Sequence, residues 1–438
     1  MSYTSKVITV EKALSFVKSN SIIVTGLGAA EGGLFMEQLH TIAGSVENVK
    51  IVNCNPTHAC DFYKEEYADT FTVDGWFYAP QMRKAHAQGN MAYIPNHLHL
   101  AATKWLYRNH PNIFVAAASM PDENGYISIG TSNTYERRVM EEADITILEI
   151  NPHYPFVYGD CVVHYTDVDY LIEADYEVPV VPDIPVGDRD REIGKKISEY
   201  VPDGACLQLG IGGIPNAVAE FLKDKKDLGI HTELITSKMA ELFKAGVING
   251  KKKNINKGQM VATMILGTPE LYEFCNRNPG VAIYDGSWVN DPYTIAQNDN
   301  QISINTSLEI DLTGQCCSES IGSRQFSGTG GQADTAIGAQ MSKGGRSIIA
   351  LYSTAMIKDK ETGDKKEVSK IVPQLQSGAA VSLSRNDVDL IITEYGVADL
   401  RGSNMKERVE SIIAIAHPKF REELWEQALS CGIIGKRW

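Results

Sequence analysis

Four stretches of the chain carry residue types that can do chemistry. The first is Leu209-Gly-Ile-Gly-Gly-Ile-Pro215, which follows an apolar run and opens an amphipathic one. Glycines let a backbone come close to a ligand, and the unpaired amides of a helix start attract anions. Gly210, Ile211, Gly212, Gly213 and Ile214 therefore suit a phosphate or carboxylate group, although a plain tight turn reads equally well. Pro215 fits a first helical turn, where its missing N–H goes unnoticed. The loop is not the G-x-G-x-x-G of a dinucleotide fold with its acidic residue about twenty positions on, and no G-K-[ST] phosphate loop occurs.

The second stretch is Asp227-Leu-Gly-Ile-His-Thr-Glu-Leu-Ile-Thr236. Alternation puts Ile230, Thr232 and Leu234 on one face of a strand and His231, Glu233 and Ile235 on the other. Glu233 then stands near the strand's carboxyl end, where open α/β sheets place their chemistry. A single glutamate there serves either as a structural hydrogen-bond acceptor or as a reactive group, and spacing alone does not choose. Ser237 is the expected N-cap of a following helix with Met239, Leu242 and Phe243 on one face and Gly246 past its end. The third stretch, Phe326-Ser-Gly-Thr-Gly-Gly-Gln-Ala-Asp334, has three glycines in four residues. Free amides there can form an oxyanion hole, and a glycine-rich surface loop explains the pattern as well. In the fourth, residues 387–402, a buried strand runs into a turn that Glu394 and Asp399 are expected to fix.

The elements that position these stretches follow from periodicity. Short β-branched runs recur at residues 21–25, 49–53, 113–117, 145–150, 205–209, 347–351 and 388–393, separated by helix-like patterns such as 11–18 and 216–223. This alternation predicts an α/β architecture with mainly parallel sheets. Helix, strand, Gly26-Leu27-Gly28 and helix in the first half are echoed by helix, strand, Gly210-Ile211-Gly212-Gly213 and helix in the second. Between them Glu177–Arg189 carries three prolines and a glycine, the expected linker of two similar domains. The runs Lys251–Lys257 and Lys358–Lys370 read as a solvated loop and a charged hairpin-like excursion.

Composition narrows the function classes. The chain has 438 residues, enough for two or three domains at roughly 150 residues each. The 41 Lys and Arg against 55 Asp and Glu give a net charge of −14, which argues against nucleic acid or an anionic membrane as partner. Nothing approaches the roughly 18 uninterrupted apolar residues of a membrane span, and the amphipathic first residues lack a long apolar core and a cleavage site. A soluble cytoplasmic protein is expected. The eight cysteines are scattered without a C-x-x-C pair, and Cys54-x3-His58-x-Cys60 fits no common zinc spacing, so no metal site is expected.

Taken together and in order, the motifs resemble the acetyl-CoA hydrolase/transferase family, and most closely its branch of 4-hydroxybutyrate and butyrate:acetate CoA-transferases. The matching residues are P-D-E-N-G-Y-I-S-I-G (121–130), L-G-I-G-G-I-P-N-A-V (209–218), D-L-G-I-H-T-E-L (227–234), S-G-T-G-G-Q-A-D (327–334), S-R-N-D-V-D (384–389) and I-T-E-Y-G-V-A-D-L-R-G (392–402). The resemblance implies two tandem similar α/β domains of the CoA-transferase (NagB/RpiA/CoA-transferase-like) type, here 1–183 and 184–438, with the catalytic glutamate in the second. It implies Glu233 as nucleophile, Gly210–Ile214 lining coenzyme A, and the amides of Gly330 and Gly331 as oxyanion hole. Coenzyme A is then a substrate rather than a permanently bound cofactor, and the partners are an acyl-CoA, a short-chain carboxylate and further copies of the chain in a dimer or tetramer. An acyl-CoA hydrolase on the same scaffold and a non-catalytic CoA-binding protein are the alternatives. Thr25–Gly33 and Tyr93–Leu100 depart from the family's commoner wording, and His97 and His99 read more simply as surface or core histidines.

Overall fold

The computed structural model describes residues 3–182, 184–358 and 363–435. The chain divides into two compact units, Met1–Asp183 with His231–Ala240 and Gly258–Asp291, and Ile184–Ile230 with Glu241–Lys257 and Pro292–Trp438. The cut at 183/184 is where the proline-rich linker was expected. Two segments of the second half, however, pack with the first unit, and one of them carries Glu233.

The first unit is built on seven strands: β1 (Ile22–Thr25), β2 (Val49–Asn53), β3 (Phe71–Gly75), β4 (Met91–Tyr93), β5 (Ile113–Ser119), β6 (Ile145–Asn151) and β7 (Tyr170–Glu173). They pair in parallel in the order β7-β6-β5-β1-β2-β3-β4. Every residue of β5 (IFVAAAS) is buried, the pattern of a central parallel strand covered on both faces. Phe35, Met36, Phe71, Met82 and Ile51 join one apolar cluster over this sheet. The chain builds outward from β1 to β4 and then returns beside β1 to build β5 to β7. The crevice where that order reverses opens at the carboxyl ends of β1 and β5, the usual ligand position in such sheets.

In the second unit the strands β8 (Cys206–Leu209), β9 (Gly229–Ile230), β10 (Gln301–Thr306), β11 (Arg346–Ala350), β12 (Leu390–Thr393) and β13 (Gly396–Asp399) pair in the order β9-β8-β10-β11-β12-β13. All pairs are parallel except the terminal β12–β13 hairpin. Its reversal point lies between β8 and β10. Gly26–Gly28 and Gly210–Gly213 thus occupy matching places, each directly after the strand at which its own sheet reverses. The helices Asp188–Ser198 and Gly213–Phe221 approach closely because Gly194 has no side chain; a Cβ there would stand 2.9 Å from the Ala217 backbone.

Three local expectations are corrected. Alternation predicts one strand through residues 230–235, but β9 ends at Ile230 and a separate strand, Leu234–Ile235, pairs with Met264–Ile265. His231 and Thr232 lie between the two strands and are both buried, so the predicted alternation of faces does not run through them. Ser237 is the first helical residue, and its hydroxyl bonds Thr268 rather than capping. The basic run Lys251–Lys257 is not wholly solvated, because Lys253 is buried. Thr354–Lys358 and Lys365–Ser369 form the expected charged hairpin, its tip lying outside the described residues.

Candidate active site

Glu233 lies in the bend between β9 and the strand Leu234–Ile235, and the bend is held from several sides within the first unit. Thr232 donates its amide to Val261 O at 3.0 Å. The amides of Thr263 and Met264 both donate to Glu233 O at 3.0 Å, which fixes the peptide just beyond the side chain. His231 is 1% exposed, and its Nε2 lies 2.8 Å from Val289 O. A carbonyl only accepts, so that nitrogen carries the hydrogen.

The carboxylate of Glu233 is partly buried, and its Oε2 accepts from Asn290 Nδ2 at 3.3 Å. Asn290 is placed by the short helix Gly286–Val289 that precedes it. Asp285 caps that helix by accepting from Ser287 N at 2.8 Å, and Arg138 Nε reaches both Asp285 oxygens at 3.2 Å. Gly286 lets the helix press onto Thr134, whose carbonyl oxygen would stand 2.5 Å from a Cβ. Asn290 is 1% exposed and its Oδ1 has no hydrogen-bond partner among the described residues. The nucleophile candidate therefore meets a neutral amide, which orients one of its oxygens.

The loop after β1 reaches the same neighbourhood. Gly28 N donates to Cys54 O at 3.2 Å. Burial pushes the Cys54 thiol up, and the charges of Glu136 and Glu233 add to that. Three fully buried glutamates hold the loop's backbone. Glu136 accepts from Leu27 N at 2.8 Å, and Glu149 accepts from Leu34 N at 3.1 Å and Phe35 N at 2.8 Å. Glu31 accepts from Thr57 N at 2.8 Å and His58 N at 2.9 Å. Burial holds all three carboxyls above their ordinary range, and these hydrogen bonds, with the charge of His58 at Glu31, offset only part of that. Buried acids that accept amide hydrogens at this density make a stiff loop. The stretch Thr25–Gly33 is thus built into the site's frame. His58 and Cys60 serve elsewhere: His58 Nδ1 lies 3.1 Å from Glu37 Oε1, and Cys60 joins the apolar core.

The glycine loops belong to the second unit. Ile211–Pro215, Ser307, Tyr352 and Lys370 line a cavity of about 240 Å³ at the carboxyl ends of β8, β10 and β11. Among the described residues the amides of Ile211, Gly212, Gly213 and Ile214 meet no protein acceptor. Gly212 takes φ +128°, and Gly213 rests on Asp190, whose carboxylate oxygens would be 2.8 Å from a Cβ. Tyr352 donates to Asp190, and Arg189 stacks on the Tyr352 ring at 4.6 Å while pairing with Glu394 at 2.8 Å. Glu394 also accepts from Ser353 N at 2.9 Å, so it ties a helix to two strand ends rather than only its own turn. Burial lowers the Lys370 ammonium, with Arg189 adding to the effect, and its Nζ lies 3.4 Å from Ser307 O. Gly330 has φ +55° and Gly331 precedes the helix Gln332–Met341. Gln332 Nε2 donates to Thr306 O at 3.0 Å, which brings this loop to the carboxyl end of β10, the neighbour of the strand that precedes Gly210–Ile214. Glu233 is in the other unit.

One consequence concerns Gly212 alone. A β-branched side chain is strained at its backbone angles, so Gly212→Val is expected to raise KM for an anionic substrate about tenfold, the equivalent of about 1.4 kcal/mol. Steady-state kinetics beside a thermal melt checks this; an unchanged KM removes the loop from ligand binding.

The first unit thus carries a bracketed glutamate, and the second a cavity lined by amides that meet no protein acceptor among the described residues. Comparison with known proteins identifies the class. The acetyl-CoA hydrolase/transferase N-terminal domain matches residues 1–182 and the acetyl-CoA hydrolase/transferase C-terminal domain residues 267–428. The chain is 40% identical to the 4-hydroxybutyrate coenzyme A transferase of Clostridium kluyveri, over 97% of each chain. It is also 40% identical to the succinyl-CoA:cyclohexane-1-carboxylate CoA transferase of Geobacter metallireducens, covering 97% of this chain and 95% of that one. The crystal structure of 4-hydroxybutyrate CoA-transferase from Porphyromonas gingivalis superposes with a TM-score of 0.78 at 33% identity, over 97% of each chain. The chain belongs to the acetyl-CoA hydrolase/transferase family and is an enzyme with the two-domain CoA-transferase fold. Gly210–Ile214 and Glu233 fall between the two matched ranges, so their reading rests on the residues themselves.

Sequence reasoning missed Asn290, and it read Cys54 only within a spacing that fits no zinc motif and Lys253 only within a solvated basic run. Asn290 sits 57 positions after Glu233, in the wording W-V-N-D-P that carries no pattern. The acid in the apolar strand ITILEIN was a usable signal for Glu149, since a lone charge in such a run must be satisfied internally.

Proposed function

We propose that the protein transfers coenzyme A between a short-chain acyl-CoA, such as acetyl-, butyryl- or 4-hydroxybutyryl-CoA, and a free carboxylate such as acetate, with Glu233 as nucleophile. The observation that carries this reading is the bracketed, half-buried Glu233 carboxylate beside the neutral Asn290 amide. A Glu233 oxygen attacks the thioester carbonyl carbon, the C–S bond breaks, and the CoA thiolate leaves from a mixed anhydride. The thiolate then attacks the glutamyl carbonyl, expelling the original acid as carboxylate and leaving a glutamyl-CoA thioester. An incoming carboxylate runs both steps in reverse. No step releases the energy of the thioester, because an anhydride and a thioester are both activated acyl groups. A serine would trap the acyl group in a low-energy ester, and a cysteine would hold the acyl group rather than CoA.

In this reading Gly210–Ile214 contact CoA, and the Gly330 and Gly331 amides stabilise the tetrahedral oxyanions. CoA enters as a substrate, with no cofactor held permanently, and the enzyme works as a cytoplasmic homo-oligomer. Two relatives at equal identity act on different acids by name, so the acid is set by pocket contacts, where one methylene changes discrimination by only about 1–3 kcal/mol. The test is trapping. Incubation with acetyl-CoA followed by borohydride is expected to leave a reduced Glu233 in the peptide mass spectrum, and a panel of short acids is expected to accept CoA. Release of free CoA at the same rate without any added acid would instead make the protein a hydrolase.

A further inference from the structure

Lys253 is 2% exposed and ranks among the largest fully buried side chains of the protein. Its Nζ donates to Ile230 O at 2.8 Å. Its methylenes cover Gly229, where a Cβ would stand 2.5 Å from Lys253 Cγ, so the glycine makes room for the lysine. The loop that carries it is pinned to the same strand. Asn249 N and Gly250 N both donate to Leu228 O at 3.0 Å, and Asn249 Nδ2 donates to Asp227 Oδ1 at 2.8 Å. Asn254 N donates to Asn298 Oδ1 at 3.1 Å, and Asp299 N to Asn254 Oδ1 at 3.0 Å. The chain thus leaves β9 at Ile230, runs through Glu233, and comes back with Lys253 closing over the strand it left.

An aliphatic residue would fill this space without burying an ammonium, which is costly unless well bonded. The lysine gives in return a charge-assisted hydrogen bond to the Ile230 carbonyl, the strong kind. That carbonyl is the last of β9, and its peptide sets the direction in which the chain departs. We propose that Lys253 is a positioning residue for Glu233, fixing through the Ile230 carbonyl the strand end from which the reactive bend is launched. The proposal rests on Glu233 being the nucleophile. Burial brings the Lys253 ammonium down to about 8, and the Cys206 thiol of β8, itself raised to about 11 by burial, acts weakly to hold it up. The other charged groups around it are Lys252, Lys257, Asp203, Asp227 and Asp299, which line an adjoining cavity of about 330 Å³.

The experiment uses the full-length protein with Lys253→Met and Lys253→Gln. With Met, kcat is expected to fall about 10- to 100-fold, the effect of a reacting group displaced by about 1 Å. KM for acetyl-CoA is expected to stay within about twofold, and the rate of borohydride-trapped label at Glu233 to fall with kcat. Gln keeps a neutral N–H donor and is expected to recover part of the rate. The ratio of wild-type to Lys253→Gln kcat is expected to shrink as pH rises through about 8, where the ammonium loses its charge. Lys253→Met with full kcat and only a lower melting temperature overturns the proposal. If that variant does not fold, a wild-type to Gln ratio that is flat with pH overturns it. Label at Glu233 that forms equally fast in wild type and Lys253→Met overturns the lysine's role alone, whereas no label in wild type overturns the Glu233 reading and this proposal with it.

Discussion

With Glu233 as the proposed nucleophile, Glu233→Gln is expected to abolish CoA transfer, cutting kcat by about 10⁴-fold or more, as loss of a covalent nucleophile does in other enzymes. At about 1.4 kcal/mol per tenfold, that is more than about 5 kcal/mol of barrier. The substitution leaves the main-chain frame of the bend intact. Glutamine has the shape of glutamate, and the Thr263 and Met264 amides bond the main-chain carbonyl, which is unaltered. Its side-chain oxygen still accepts from Asn290. The melting temperature is therefore expected to hold while turnover vanishes and the borohydride label is lost. Asn290→Ala separates orientation from reactivity. It removes one donor to Oε2 and leaves the carboxylate, so a loss of about 10- to 100-fold is expected, with label at Glu233 formed slowly but still formed. A Glu233→Gln protein that transfers CoA at the wild-type rate ends the proposed mechanism.

The largest stability effect is expected at Asp389, at the opposite edge of the second sheet. Asp389 is fully buried at the start of β12. Its carboxylate accepts from Arg346 Nε and Nη2, both at 2.9 Å, from Arg401 Nε at 3.1 Å and Nη2 at 2.8 Å, and from Ser347 N at 3.0 Å. Two guanidinium forks thus close on one carboxylate, tying β11, β12 and the turn after β13 together. Burial opposes the Arg346 charge, but Asp389 and Asp399 more than offset that and hold the guanidinium protonated. Removing one member of a buried pair costs about 3–5 kcal/mol. Because the Arg401 side chain is 46% exposed, solvent screens part of the loss and about 2–4 kcal/mol is expected for Asp389→Asn. For a unit this large that lowers the midpoint by about 5–10 °C. Calorimetry measures it, and kcat at 25 °C is expected to stay near wild type, since the clamp sits at the amino ends of strands whose carboxyl ends carry the loops. A drop below about 1 °C would mean that the two arginines find water as good a partner.

Much of this architecture was readable from residue pattern. The strands at 49–53, 113–119 and 145–151 announce themselves because strands buried on both faces are nearly all apolar. The Gly26–Gly28 and Gly210–Gly213 loops were legible because each follows such a strand and opens a helix. What stayed hidden depends on contacts distant in sequence. Alternation through 230–235 misleads because the chain changes sheets there, and a two-residue strand such as Gly229–Ile230 has no period to read. Lys253 resembles its neighbours in a basic run, and only the missing side chain of Gly229 creates its burial. Asn290 is brought to Glu233 by a four-residue helix, too short to leave a periodic trace.

The interleaving of the two units has a consequence for synthesis. The chain crosses from one unit to the other at 183/184, 230/231, 240/241, 257/258 and 291/292. A ribosome that has released the first 183 residues has made the seven-stranded sheet but neither the segment carrying Glu233 nor Met264–Ile265, against which Leu234–Ile235 pairs. The first unit is complete only after residue 291, when a third of the second has already been made. Glu233 therefore joins its own unit late, after part of the second has been made, and no single cut in the gene yields two halves that each keep their own unit whole.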